Sequence, residues 1–254
     1  MEMKAVFIGN SSIILDKVAS TNSYLAELLI EQNLPEGTAV TAYEQGGGRG
    51  QRGTQWESEP GKNITLSLLL KPIFLEIDSQ FELSKMVALA VSDFIKHLLN
   101  EHHSQVRIKW PNDIYLDKKK VAGILIENTL VANKIAYSII GIGININQQV
   151  FSSQLVSATS VRNSTGKEYD LDTCREQLYY FMEKRYVQLR SQLRIIENDY
   201  LNHLLFFNEW AMYLYKEEKI KAKITGINKT GKLILQRENA EVYECDIKEI
   251  QIVL

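Results

Sequence analysis

Five glycines and two arginines fall within the eight residues Gly46 to Gly53, and no other run constrains the chain as strongly. Glycine loses more backbone freedom on folding than any other residue, so a loop this rich in it is costly to order unless something holds it. Bare backbone N–H groups and the guanidinium forks of Arg49 and Arg52 suit an anion, either a carboxylate or a phosphate. Gly48 to Gly53 formally matches G-x-G-x-x-G, but a dinucleotide site needs a helix opening directly after the match. Here the chain runs through Glu59-Pro60-Gly61 into the apolar segment Ile64 to Leu70, which predicts a strand. A Walker motif fails because Thr54 follows Gly53, and no V-A-I-K, H-R-D or D-F-G follows as a kinase requires. A flexible hairpin loop with solvated arginines is the plain alternative.

The 254 residues suit one sizeable core with a small appendage, and 45% apolar with 24% charged residues is ordinary globular composition. Twenty-nine basic against 31 acidic residues leave a charge of −2, which gives no support for a nucleic-acid-coating or membrane-surface protein. Cys174 and Cys245 are far apart, and no secretory leader is read in Met1-Glu2-Met3-Lys4, so a reduced, cytoplasmic setting is expected. His97, His102, His103 and His203 lack metal-ligand spacing, and no protein-held metal site is expected.

Short strands are expected at Val6 to Ile8 and Ile13 to Val18, then a helix through Tyr24, Leu25, Leu28 and Leu29 with Ser20 or Thr21 as its N-cap. Thr38 to Tyr43 alternates like a strand, and a long helix is expected from Gln80 to Asn100, with Leu83, Met86, Val87, Ala90, Val91, Phe94 and Leu98 as its apolar stripe. Val106 to Trp110 and Ile114 to Leu116 read as strands around Pro111-Asn112-Asp113. Val121 to Glu127 and Ile135 to Ile146 read as a hairpin, and Leu171 to Phe207 as broken helix. Short alternating runs after Trp210 suit a small β-barrel, which divides the chain into 1–212 and 213–254.

Two further segments stand out. Arg107 to Asp113 sets Lys109 beside Trp110, Asn112 and Asp113 at a proline-fixed turn, either an ordinary turn or an ammonium held at fixed depth to meet negative charge. Gly141-Ile142-Gly143-Ile144-Asn145-Ile146-Asn147 puts both glycines and both asparagines on one strand face, leaving a flat surface for a close ligand or for a packed helix.

Together these segments resemble the biotin protein ligases. Gly48 to Trp56 looks like the family's G-R-G-x-R-G-x-x-W, Ser20-Thr21-Asn22 its S-T-N, and Asn63 with Ser67 its N-x-x-x-S. Lys109 to Asp113 is similar to its K-W-P-N-D, Lys120 to Leu125 to its K-x-x-G-I-L, and Gly141 to Asn147 to its G-I-G-x-N-x-N. Six motifs recur in the family's order across residues 20 to 147. Lipoate ligases and transferases share the fold without the full arginine loop, and they are the nearest rival; a non-catalytic ligand sensor is the more distant one. The chain departs from the pattern at two places: Gly46 replaces a side chain that many members carry, and Gln51 replaces the second arginine of G-R-G-R-R-G, a position that helps retain the adenylate.

The resemblance implies an α+β fold, a central mixed or antiparallel sheet packed with helices, plus the small C-terminal barrel. It implies ATP and biotin as substrates, with Mg²⁺, and a biotin carboxyl carrier protein or domain of a carboxylase as partner. Biotin becomes biotinyl-AMP with loss of pyrophosphate, and a carrier lysine then displaces AMP. By the same resemblance Lys109, Arg49, Arg52 and Asp113 are catalytic, Lys109 bridging carboxylate and α-phosphate. Biotin would contact Ser20, Thr21, Asn22, Gln45, Gly46, Arg49, Gly50, Gln51, Lys109 and Gly123. ATP would contact Arg52, Trp56, Asn63, Ser67, Lys109, Asn112, Lys120 and Asn145. No helix-turn-helix is read ahead of the ligase pattern, so DNA binding is not expected. Members often pair as homodimers through sheet edges, a state that this sequence leaves open.

Overall fold

The computed structural model describes residues 5–100, 105–153, 155, 157–247 and 249–253, with the backbone alone of Arg52. His102 and His103 lie outside the described residues. Strand β1 (Ser12–Val18) leads into α1 (Thr21–Glu31) and β2 (Ala39–Gln45). The glycine loop folds into a two-residue hairpin, β3 (Gly48–Arg49) and β4 (Gln55–Trp56), before β5 (Ile64–Leu70) and α2 (Gln80–Leu99). Next come β6 (Val106–Lys109), β7 (Asp113–Leu116), β8 (Lys119–Val131) and β9 (Lys134–Ile144). Helices α3 (Val161–Thr165), α4 (Leu171–Ser191) and α5 (Leu193–His203) precede β10 (Trp210–Tyr215), β11 (Glu218–Ile227), β12 (Leu233–Arg237), β13 (Val242–Cys245) and β14 (Ile250–Ile252).

Seven strands form the main sheet in the order β1-β2-β5-β9-β8-β7-β6, parallel only between β1 and β2. Side chains alternate across it. One face presents Leu66, Leu68, Ile140, Ile142, Ile124, Ile114 and Ile108 to the large core under α2, α4 and α5. On the other face, α1 covers Val40, Leu69 and Ile139 at one end. Beyond α1 the same face turns small and polar. Its register runs Ser67–Gly141–Leu125 in one row and Thr65–Gly143–Gly123–Asp113–Lys109 in the next. The helix and this uncovered half of the face frame the site.

Helix α2 lies between the sheet and α4 with α5, which explains why it buries Ala88, Leu89 and Ile95 as well as the apolar stripe read from its spacing, of which Leu98 alone is half-buried. Each large side chain taken fully out of water there contributes about 1.5–3 kcal/mol. Arg185 of α4 ties the helices together, donating from Nε to Asp93 and from Nη1 to Asp199, each at 2.6 Å. The remaining strands form a five-stranded antiparallel sheet, β13-β12-β11-β10-β14, joined to the body where Trp110 Nε1 donates to the Gly231 carbonyl at 3.1 Å.

The strands expected at Ile64 to Leu70 and Val242 to Cys245 match residue for residue, and most other elements stand within a few residues of their sequence reading. The break expected in the long helical stretch falls at Gln192. Val6 to Ile8, expected as a strand, is instead a bend and turn whose N–H groups are taken up by the Glu183 carboxylate of α4. Spacing also gave no sign of α3 or β10.

Candidate active site

A cavity of about 270 Å³ opens on the uncovered half of the sheet. Its floor includes Gly123, Gly141 and Gly143, its inner wall Ser20, Thr21, Asn22 and Gln45, and its roof the loop residues Arg49, Gly50, Gln51 and Trp56. Asn112, Asp113 and Lys120 close the outer end, and Ile247 reaches in from the segment before β14.

The inner wall is a fixed polar chain. Gln45 Oε1 accepts from the Thr21 backbone N–H at 2.8 Å, and the Thr21 and Ser67 hydroxyls lie 2.7 Å apart. Ser67 reaches Asn22 Oδ1 at 2.5 Å; that oxygen can only accept, so Ser67 gives its single proton there, and the Thr21 hydroxyl has Gln45 Oε1 as acceptor at 3.1 Å. Asn22 Nδ2 donates to Glu127 Oε2 at 2.7 Å, which fixes the direction of the amide. A Cβ on Gly141 would meet Asn22 Oδ1 at 2.6 Å, and one on Gly143 would overlap the Trp56 indole. Glycine at these two strand positions is what lets Asn22 and Trp56 lie against the sheet.

The outer end is cationic. Lys120 Nζ lies 2.7 Å from Asp113 Oδ1 and 5.6 Å from the centre of the Trp56 ring. Its position depends on a bulge: Ile114 pairs with Ala122 but Tyr115 with Lys120, so Val121 is the extra residue on β8. A strict period of two would turn Lys120 away from Gly123. The bulge brings it onto the same face, where Nζ stands 3.3 Å from a Cβ placed on Gly123. Arg49 on the roof donates to Glu127 at 2.9 Å. Among the described lining residues, two cations therefore face a single carboxylate, Asp113.

Of the residues expected from sequence, Ser20, Thr21, Asn22, Gln45, Arg49, Gly50, Gln51, Trp56, Asn112, Asp113, Lys120 and Gly123 line this cavity. Others stand elsewhere. Lys109 is on the right face but on the edge strand, one strand beyond Asp113, and its ammonium donates to the Tyr115 hydroxyl at 3.3 Å. It lines a separate cleft with Ser157, Leu214, Lys219 and Gln251. Burial lowers its pKa, opposed by Asp113 and assisted by Lys120, while burial and Asp113 raise Tyr115 to about 12. Asn145 is buried, its Nδ2 donating to the Thr159 carbonyl at 2.9 Å, so it holds the segment that pairs with Lys120 instead of facing the cavity. Asn63 likewise braces a loop, through Gln148 and the Ile146 N–H. Ser67 sits behind Thr21 and Asn22, and Gly46 lies outside the cavity wall. The Arg52 side chain is outside the described set.

Sequence reasoning missed Glu127, which it took as the end of a strand. Its signal was a carboxylate on the same strand face as Gly123 and Leu125, the face that carries the glycine floor. As for Mg²⁺, no group of three or more metal-ligating side chains occurs among the described residues. Mg²⁺ commonly binds through one or two carboxylates plus substrate phosphates, so Asp113 fits an ion that arrives with a nucleotide.

The sequence model of the biotin/lipoate A/B protein ligase family matches residues 15–145. The bifunctional ligase/repressor BirA of Bacillus spizizenii is 31% identical over 97% of this chain and 76% of its own length. The biotin–[acetyl-CoA-carboxylase] ligase of Mycobacterium tuberculosis is 29% identical over 73% of this chain and 69% of its own. Among solved structures, the biotin protein ligase from Aquifex aeolicus in complex with biotin and ATP superposes with a TM-score of 0.78 at 27% identity, covering 96% of this chain and 99% of that one. With its glycine floor, polar inner wall and arginine loop, this chain belongs to the biotin/lipoate A/B protein ligase family.

Proposed function

We propose that the protein is an ATP-dependent biotin protein ligase, and that the convergence of Lys120 and Arg49 over the glycine floor carries this reading. The inner wall offers fixed donors and acceptors to a neutral polar head, and a site built on such partners rejects acids that leave them unpaired. Lys120 at the outer end and Arg49 on the roof receive the carboxylate and the α-phosphate, whose negative charges would otherwise repel each other. A biotin carboxylate oxygen bonds to the α-phosphorus of ATP and the bond to pyrophosphate breaks. The neutral ε-amine of a carrier lysine then bonds to the biotin carbonyl carbon, AMP leaves, and the amine gives up a proton. No protein nucleophile is required, so positioning and charge stabilisation do the catalysis.

Lys120 takes the bridging role that the resemblance implied for Lys109, with Lys109 two strands further out on the phosphate side. Thr21, Asn22 and Gln45 hold the biotin head, Trp56 and Asn112 flank the adenine, and the loop covers the adenylate from water. Mg²⁺ would supply further neutralisation of the phosphates beside Asp113. The ligase unit read as residues 1–212 carries this chemistry, with the accessory sheet starting slightly earlier, at Trp210, and lending Ile247 to the cavity. The acceptor is a biotin carboxyl carrier protein or domain, in keeping with the acetyl-CoA carboxylase named for the mycobacterial relative.

Pyrophosphate release with Mg-ATP and biotin, lipoate or no acid tests the reading, followed by mass analysis of an added carrier domain. Biotin-dependent release with a gain of one biotin on the carrier is expected. Release with lipoate alone would move the chain to the lipoate branch of its family, and no release with either acid would leave a binding protein.

A further inference from the structure

Glu127 lies outside the main cavity, in a recess behind the loop lined by Gly47, Gly48, Gly50 and Leu125. Its row of the sheet otherwise carries Ile139 and Leu69, both beneath α1, so an apolar residue would pack there more simply. Instead one oxygen, Oε2, accepts from Asn22 Nδ2 at 2.7 Å and from Arg49 Nη2 at 2.9 Å. A single atom thereby joins the first turn of α1, at the inner wall, to the arginine of the glycine loop.

We propose that Glu127 is a positioning residue that couples the acid subsite to the loop; this rests on the ligase reading above. The chain of contacts runs from Gln45 through Thr21, Ser67 and Asn22 to Glu127 and Arg49. A head group that settles on Thr21 and Asn22 steadies the Asn22 amide and with it the carboxylate that anchors Arg49. Glu127 engages one nitrogen of the guanidinium fork, and Arg49 makes no other side-chain hydrogen bond among the described residues. Its remaining donors stay available to the cavity that it lines, so Glu127 orients the fork without consuming it. Ordering five glycines is entropically costly, and an anchor at Arg49 lowers that cost before the substrates are complete.

The test compares Glu127→Ala, Glu127→Gln, Arg49→Ala and the Glu127→Ala/Arg49→Ala double variant. Glu127→Ala should raise the biotin KM and the rate of adenylate loss about tenfold, with kcat at saturating biotin within about twofold of wild type. Glu127→Gln, whose amide oxygen can still accept from Asn22 and Arg49, should recover part of the loss. In the double variant the effects on adenylate loss should fall short of the product of the single ones. Trypsin cleavage after Arg52 provides a readout independent of turnover, and Glu127→Ala should accelerate it severalfold without ligand. Multiplicative effects, unchanged cleavage, or a lowered biotin KM, which would make Glu127 a competitor for Arg49, each overturn the proposal. A wild type without biotin-dependent pyrophosphate release, but with the cleavage difference intact, would sink the ligase reading and leave the anchor standing.

Discussion

Replacing Gly141 by alanine sets two physical effects against each other, and the structure decides the sign. Gly141 lies mid-strand in β9, where backbone entropy alone favours alanine by about 0.5–1 kcal/mol. The new Cβ, however, would stand 2.6 Å from Asn22 Oδ1, inside contact distance. Asn22 cannot retreat freely, because Ser67 holds one end of its amide and Glu127 the other. Displacing it loses a neutral hydrogen bond of about 1 kcal/mol, and a second to the half-exposed Glu127 of about 0.5–1 kcal/mol after screening. Local overpacking adds about 1 kcal/mol or more. The net is a destabilisation of about 2 kcal/mol, a fall in Tm of about 4–8 °C for a chain of this size. Calorimetry with biotin titration measures both consequences, and biotin affinity should fall about tenfold as the wall amide is displaced. Gly226→Ala is the control, since its Cβ would meet only Ile234 Cδ1 at 3.6 Å. A Gly141→Ala protein as stable as wild type, with unchanged biotin affinity, would refute the wedge between strand and amide.

Two further outcomes separate the lysines. Lys120→Ala should lower biotin-dependent pyrophosphate release at least about 100-fold, as expected for loss of a group facing the reacting charge, whereas Lys109→Ala should lower it no more than about tenfold. The reverse ranking in steady-state kinetics would return the central role to Lys109. Burial lowers the Lys109 pKa below 10.5, so the unfolded chain holds that proton more tightly than the native one. Its contribution to stability therefore rises as pH climbs through the native pKa and levels off above 10.5. Urea unfolding of wild type and Lys109→Met at about pH 7 and about pH 10 should show a smaller gain with pH in the variant, and parallel curves would contradict the burial argument.

The sheet was legible because its strands alternate cleanly and its turns carry Gly, Pro, Asn or Asp; the cavity's inner wall was legible because Ser20 to Asn22 stand where a helix opens. Asn145 and Asn63 were harder, since their partners, Thr159 and Gln148, are set by tertiary packing that no local pattern encodes. Lys120 is the instructive case. Within three consecutive lysines it reads as a solvated turn, and counting by twos from Gly123 points it at the core. Only the pairing of Lys120 with Tyr115, one residue out of step with the pairing of Ala122 with Ile114, turns the ammonium toward the cavity. Lys109 kept the regular register and was carried to the edge strand, with Asp113 between it and the glycine floor. Alternation predicts faces only between bulges, so where a bulge separates two functional residues, the face that one of them presents to a ligand is switched by one inserted residue, here Val121.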